Sequence, residues 1–226
     1  MAIGFRVFTE VNRPSEELVS RFREKRSCDL SDVMNRSQTM TGIAPIYRPV
    51  PRVVGPAITA SLPAGGINML KVGMEQTRSG DVFVVNSQGY DALAMWGGNV
   101  SRGMKARGVC ATIIDGMARD KTEIAETDYP VFARGIAVAS APAVEARGEI
   151  NVPIACGGVV VNPGDIVVAD EDGIVVIPPT EAEDVLQRVG ELETLFESLQ
   201  PTLLAGKVTN IENVISEARA QGCVFE

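Results

Sequence analysis

Short, continuous apolar runs bounded by turn residues alternate with apolar positions spaced three and four apart, and these two patterns predict different elements. Ser15 stands before Glu16 and Glu17, and Leu18, Val19 and Phe22 give one apolar face, which predicts a first helix ending in a basic turn. A second helix is predicted from Asp29. Between 43 and 60, β-branched residues interrupted by Pro45, Pro49, Pro51 and Pro56 predict short strands and turns. Residues 66–78 predict a helix packed through Leu70 and Met74. DVFVVNS (81–87) and CATIID (110–115) read as strands buried on both faces. The stretch between them reaches Arg107, contains Gly97-Gly98 and is helical. Strand, helix, strand predicts a crossover unit with parallel strands, so both strands should end on one edge.

Beyond Pro130 the pattern changes to strands and turns: ARGIAVAS, GEINVPIACGGVVV and DIVVADEDGIVVIP. Asn162-Pro163-Gly164-Asp165 predicts a tight reversal and Asp172-Gly173 a hairpin. From Thr180 a helix carries Val185, Val189, Leu192, Phe196 and Leu199 on one face. Another starts near Asn210 with Ile211, Val214, Ile215 and Ala218. Such stripes are core positions in most helices and subunit contacts in some. No repeat and no linker divides the chain, so a single α/β domain over 1–226 is expected, with helices outside a central strand layer.

Composition narrows the function classes. A chain of 226 residues with 45% apolar and 22% charged residues can bury a core without disulfides or a structural metal. The net charge of −8 argues against a nucleic-acid surface. The densest basic group, Arg21, Arg23, Lys25 and Arg26, is broken by Glu24 and preceded by Glu16 and Glu17, as on a solvated helix face. Cys28, Cys110, Cys156 and Cys223 form no C-x-x-C pair, and no long apolar segment occurs, so a cytoplasmic protein without disulfides or membrane contact is expected. Cys110 and Cys156 lie in apolar runs and are expected in the core.

The chain has no histidine, which removes histidine-based triads, Cys-His pairs and histidine metal cages. With oxygen ligands alone, the cations to expect are Mg²⁺ or Mn²⁺.

Two stretches then carry candidate chemistry. In GGNV (97–100) the glycines let a ligand approach the backbone and Asn99 is an N-cap candidate; the same pair of glycines also suits close packing of a helix on a strand. In IDGMARDKTE (114–123), Asp120 and Glu123 are three apart, so a helical turn would place both carboxylates on one side, suited to a shared hydrated cation. Equally, Arg119 and Glu123 at i,i+4 make an ordinary surface ion pair of about 0.2–0.5 kcal/mol. Asp115 is expected to accept backbone hydrogen bonds in an Asp-Gly turn.

From Gly98 to Arg119 there are 20 intervening residues, and Asp120 and Glu123 follow. That arrangement, with WGGNVSRGMKARGV, IDGMARD, YPVFARG and GEINVPIACGGVVVNPGDIVVADEDGIVVIP, resembles the RraA-like family from about Asp29 to Pro178. The family includes class II 4-hydroxy-4-methyl-2-oxoglutarate / 4-carboxy-4-hydroxy-2-oxoadipate aldolases and regulators of ribonuclease E activity. The resemblance implies a four-layer α/β/β/α sandwich assembled as a homotrimer or homohexamer, with active sites between protomers. Helices at about 15–37 and 180–221 would pack on this domain or on a neighbouring subunit. It implies that the backbone amides of Gly97, Gly98, Asn99 and Val100 hold the carboxylate of a small 2-oxo acid substrate. Arg119 would face the oxygen that becomes the enolate, and Asp120 would bind Mg²⁺ or Mn²⁺ directly. Many family members carry an acid where this chain has Gly98; in another subgroup the acid stands at the position of Glu123, which would then act through water. Glu193 is the candidate for an acid contributed by a neighbouring subunit.

The reaction so implied is cleavage of 4-hydroxy-2-oxo acids to pyruvate, with oxaloacetate decarboxylation through the same enolate. Water steered by Glu123 would be the base. The alternative is a non-catalytic regulator of the ribonuclease E inhibitor type, using an acidic surface. A quinone methyltransferase name also attaches to the family, but no glycine-rich methyl-donor loop follows an N-terminal strand here.

Overall fold

The computed structural model of the chain describes residues 3–63, 67–142 and 147–225. In chain order its elements are β1 (Phe5–Val7), α1 (Glu16–Ser20), α2 (Ser27–Val33), β2 (Ala44–Pro45), β3 (Val53–Ser61), α3 (Asn68–Glu75), β4 (Val82–Trp96), α4 (Gly98–Ala106), β5 (Ala111–Ala118), α5 (Lys121–Thr127), β6 (Val131–Ile136), β7 (Gly148–Ile150), β8 (Ile154–Cys156), β9 (Val159–Val161), β10 (Ile166–Ala169), β11 (Ile174–Ile177), α6 (Ala182–Leu204) and α7 (Ile211–Ala220).

The apolar runs lie side by side as parallel strands. β3, β4, β5 and β6 pair parallel in that order, and α3, α4 and α5 are the crossovers between them. The whole path runs β1-β7-β3-β4-β5-β6-β2, and β8-β9 form a separate hairpin. β3 belongs to two layers. Its first half, Val53 to Pro56, pairs antiparallel with β10, while Ala57 to Ser61 pair parallel with β4. Gly55 sits at this changeover, where a Cβ would stand 2.2 Å from the carbonyl oxygen of Gly80. No side chain fits there.

Period-two burial shows how the layers stack. In β10, Val167 and Ala169 face the larger core with Ile174 and Val176 of β11, next to β3, β4 and β5. The alternate residues Ile166, Val168, Val175 and Ile177 face a second core with Val19, Phe22, Leu30, Val185 and Val189 from the α1–α2 region and α6. Met69, Leu70, Met104 and Ile124 of α3, α4 and α5 complete the larger core. The result is a four-layer α/β/β/α sandwich, as expected.

Several local expectations hold for local reasons. Ser15 caps α1, its Oγ accepting the Leu18 N–H at 3.2 Å. The Asn162 to Asp165 reversal closes with the Asp165 N–H donating to the Asn162 carbonyl at 3.1 Å. The β10–β11 hairpin closes with the Asp170 N–H donating to the Gly173 carbonyl at 3.0 Å.

Other expectations are corrected. The strand expected over 81–87 continues to Trp96, because the paired β5 also runs on past Asp115 to Ala118, with register shifts along the way. The second helix begins at Ser27 rather than Asp29. The helix expected from Gly66 starts at Asn68 among the described residues; Gly66 itself lies outside them. The stripe on α7 is not core, since α7 buries no residue. In α6, Val185 and Val189 are buried but Phe196 is 38% exposed, because the helix outruns the layer beneath it. No helix among the described residues is long and apolar enough to cross a membrane.

Candidate active site

The carboxyl ends of parallel strands and the starts of the following helices leave backbone N–H groups unpaired, and ligands collect there. Here β4 and β5 end together, with Trp96 opposite Ala118, and the Arg119 N–H donates to the Trp96 carbonyl at 2.9 Å. α4 and α5 start from this edge. Segment 139–141 returns beside it, joined by Ala94 N–H to Ala139 and Ala141 N–H to Ala94 hydrogen bonds of 2.7 and 2.9 Å. The open cavity at this edge is about 120 Å³, lined by Met95, Gly97, Asn99, Arg119, Asp120 and Ser140 among others.

Trp96 fixes the start of α4. Its Nε1 donates to Ser101 Oγ at 2.8 Å, and that hydroxyl donates to the Gly97 carbonyl at 3.0 Å. Gly97, with extended backbone, is the N-cap. The expectation that Asn99 caps the helix is therefore corrected. Asn99 is already inside α4, and its Oδ1 accepts from Arg102 Nη1 at 2.9 Å instead of from the backbone. No side chain caps α4. Of the first-turn amides, Gly98 N–H donates to Asp120 Oδ2 at 3.1 Å, while the N–H groups of Asn99 and Val100 point out of the helix start without a protein partner among the described residues.

Asp120 is held tightly. It occupies the left-handed region at φ 58°, ψ 39° as the residue before α5, a conformation that aspartate tolerates better than most residues. A Cβ on Gly97 would lie 2.5 Å from Asp120 Oδ2, so a glycine at 97 is the condition for this carboxylate position. Arg119 Nε stands 3.5 Å from the same Oδ2. The other oxygen, Oδ1, has no protein partner among the described residues.

The helical turn that would bring Asp120 and Glu123 to one side starts at Lys121 of α5, with Asp120 as its N-cap residue. Glu123 still projects toward α4, but it pairs with Arg102 at 2.9 Å and not with Arg119. It stands against Gly98, where a Cβ would come 2.6 Å from Glu123 Oε2 and 3.0 Å from Glu123 Cβ. An acid at 123 and a side chain at 98 thus compete for one space. Gly97, Asn99, Val100, Arg119 and Asp120 line the cavity, and Glu123 lies behind Gly98 outside that lining.

Asp115 is not a turn acid. It lies in β5, is 7% exposed and pairs with Arg134. Its Oδ2 accepts the Gly157 N–H at 2.8 Å, tying β5 to the β8–β9 hairpin. Glu193 is on α6, where it pairs with Lys25 of the same chain at 2.6 Å. Cys156 is buried and Cys110 half-buried, and burial pushes both thiols up from their ordinary pKa, so neither is poised as a thiolate nucleophile. Sequence reasoning passed over Arg102, Trp96 and Ser140. Only the Trp-Gly-Gly junction hinted at one of them.

Among the described residues, no three acidic or thiol side chains converge as a metal cage. A hard cation held by one carboxylate, waters and a chelating ligand needs no such cage. Asp120 with its unengaged Oδ1, set by the space that Gly97 leaves open, fits that role.

A crossover α/β edge thus gathers unpaired amides, a fixed carboxylate and an arginine around one cavity. Comparison with known proteins places it further: the RraA-like family profile, described as Aldolase/RraA, matches residues 27–176, and the chain belongs to this family. A Halalkalibacterium halodurans protein named as a candidate 4-hydroxy-4-methyl-2-oxoglutarate aldolase is 33% identical over 76% of this chain and 81% of its own length. The 4-hydroxy-4-methyl-2-oxoglutarate aldolase of Thermus thermophilus is 30% identical over 69% of this chain and 93% of its own. Among solved structures, Streptomyces coelicolor RraAS2, described as an unusual member of the RNase ES inhibitor RraA family, superposes with a TM-score of 0.76 at 27% identity, covering 84% of this chain and 99% of that one.

Proposed function

We propose that the chain is a divalent-metal-dependent class II pyruvate aldolase that cleaves 4-hydroxy-2-oxo acids of the 4-hydroxy-4-methyl-2-oxoglutarate type and decarboxylates oxaloacetate as a side activity. One observation carries this reading: Asp120, with an unengaged oxygen, and Arg119 flank the unpaired amides that open α4, around one cavity. Relatives named for that aldolase activity support it.

In this reading the N–H groups of Asn99 and Val100 bind the C1 carboxylate at the positive end of α4. Asp120, through Oδ1, would hold Mg²⁺ or Mn²⁺. The ion, when bound, supplies Lewis-acid stabilisation to charge on the keto oxygen. Arg119 aims its guanidinium at the same oxygen, where charge grows as the C3–C4 bond breaks and its electron pair passes into the enolate. In the aldol cleavage the C4 hydroxyl gives up its proton to water steered by Glu123, C4 becomes a carbonyl, and protonation at C3 yields pyruvate. In oxaloacetate the leaving group is CO₂ and no base is needed. Both reactions therefore share Arg119 and Asp120, while Glu123 matters more to aldol cleavage.

The working unit in this reading is a cytoplasmic homo-oligomer, trimer or hexamer, supported by the exposed apolar side chains Leu195, Leu203, Leu204, Ile211 and Val214 on α6 and α7. Those side chains also favour a second reading, a non-catalytic protein-binding regulator. Turnover separates the two. Arg119→Ala and Asp120→Ala should each lose Mg²⁺-dependent oxaloacetate decarboxylation by at least about a hundredfold, with an unchanged circular dichroism spectrum. Wild-type rates in either variant would overturn the aldolase reading.

A further inference from the structure

We infer that the side-chain amide of Asn99, oriented by Arg102, is an additional donor to the substrate carboxylate, an inference that rests on the aldolase reading above. Arg102 lies one turn along α4 from Gly98 and bridges two groups: Nη1 donates to Asn99 Oδ1 at 2.9 Å, and Nη2 donates to Glu123 Oε2 at 2.9 Å. A guanidinium has donors and no acceptor, so the Asn99 atom facing it must be the oxygen. Nδ2 is thereby turned away from Arg102. It has no partner among the described residues, on a side chain that lines the cavity.

Nδ2 carries two N–H donors on an exposed side chain that lines the same cavity as Val100, and the backbone N–H groups of both residues are unpaired among the described residues. A cluster of neutral donors at the positive end of a helix suits a planar carboxylate, which accepts several hydrogen bonds at once. Without Arg102 the amide is free to rotate and present its oxygen, a repulsive group for that anion. Arg102 is thus a positioning residue for substrate binding. Its pair with Glu123 is half exposed, with side-chain exposures of 51% and 50%, so removing it should leave the fold intact.

The aspartate variant at 99 distinguishes this role from a structural one. Asn99→Asp keeps an acceptor for Arg102 and strengthens that bond by adding charge, but turns a carboxylate oxygen toward the substrate carboxylate. A residue that only supports α4 would tolerate the change.

The experiment measures pyruvate affinity by calorimetry in the presence of Mg²⁺, and kcat and KM for oxaloacetate, in the wild type, Asn99→Asp, Asn99→Leu, Arg102→Ala and the Arg102→Ala/Asn99→Leu double variant. Asn99→Asp should weaken pyruvate binding and raise KM by roughly tenfold or more, with a smaller effect on kcat. Asn99→Leu should weaken binding less than the aspartate does. Arg102→Ala should weaken pyruvate binding by roughly threefold to tenfold in the wild-type background and leave it unchanged in the Asn99→Leu background, where there is no amide to orient. Wild-type pyruvate affinity in Asn99→Asp, or an equal loss from Arg102→Ala in both backgrounds, overturns this inference while the aldolase reading stands. Absence of both pyruvate binding and turnover in the wild type overturns the aldolase reading and this inference with it.

Discussion

Gly98 and Glu123 offer a perturbation whose size can be worked out from the structure. A Cβ at 98 would lie 2.6 Å from Glu123 Oε2, 3.0 Å from its Cβ and 3.3 Å from its Cδ. The carboxylate can turn away only by giving up its 2.9 Å pair with Arg102, and Cβ is fixed by α5, so the added methyl costs either that pair or a parting of α4 and α5 by a few tenths of an ångström. Overpacking of this kind costs about 1–3 kcal/mol, offset by at most ~1 kcal/mol from the better helix propensity of alanine. Glu123→Ala leaves the Cβ contact at 3.0 Å but removes the carboxylate contacts at 2.6 and 3.3 Å. In urea unfolding, Gly98→Ala should therefore destabilise the wild type by up to about 2 kcal/mol and the Glu123→Ala background by at least about 1 kcal/mol less. In the proposed mechanism the same space bears on turnover: Glu123→Ala should slow aldol cleavage by about a hundredfold, and adding Gly98→Asp should restore at least about tenfold, because the acid re-enters from the facing helix one turn from Arg102. Stability effects additive to within about 0.5 kcal/mol, together with no recovery in the Gly98→Asp/Glu123→Ala variant, would refute the idea that one acid can occupy either position.

Two further predictions concern stability and assembly. Burial alone would raise the Asp170 pKa, but hydrogen bonds from the Ser27 hydroxyl and from the N–H groups of Ser27, Asp172 and Gly173 outweigh it and hold the carboxyl below its ordinary value. A lowered folded-state pKa contributes stability that is present above the unfolded value of about 3.9 and lost as pH falls through the folded one. Urea midpoints taken from pH 7 to pH 3 should fall at the acid end, and Asp170→Asn should be less stable at pH 7 yet flatter in that acid range; an unchanged slope would contradict this. Light scattering should give a mass that is a multiple of 24.1 kDa, and Leu203→Glu with Leu204→Glu, now 55% and 86% exposed, should shift the protein toward smaller species. A monomer in the unsubstituted protein would refute the oligomer.

What the sequence made legible was local. The apolar runs of β4 and β5, the Ser15 cap, the 162–165 reversal and the β10–β11 hairpin each depend on residues within a few positions of one another, so pattern and turn chemistry found them. Asp115 was misplaced because Asp-Gly looks like a turn, whereas its partners Arg134 and Gly157 are 19 and 42 residues away. The start of α4 slipped for a related reason: Trp96 and Ser101 fix Gly97 as the cap through side chains whose contact no periodicity records. Arg119, Asp120 and the Gly97 to Val100 stretch stood out through the family resemblance more than through their spacing. The left-handed backbone of Asp120 and the bridge from Arg102 to Asn99 and Glu123 are tertiary features that neither pattern nor resemblance contained.

In the proposed function, Asp120, Arg119 and the start of α4 form a metal-dependent pyruvate-enolate site. The most direct measurement is pyruvate release from 4-hydroxy-4-methyl-2-oxoglutarate, followed with a coupled lactate dehydrogenase assay in Mg²⁺ and again after EDTA. Turnover is expected in Mg²⁺, with its loss in EDTA, its recovery with Mg²⁺ or Mn²⁺, and no recovery in Asp120→Ala. Turnover that persists in excess EDTA, or an Asp120→Ala variant as active as the wild type, would contradict the proposed function.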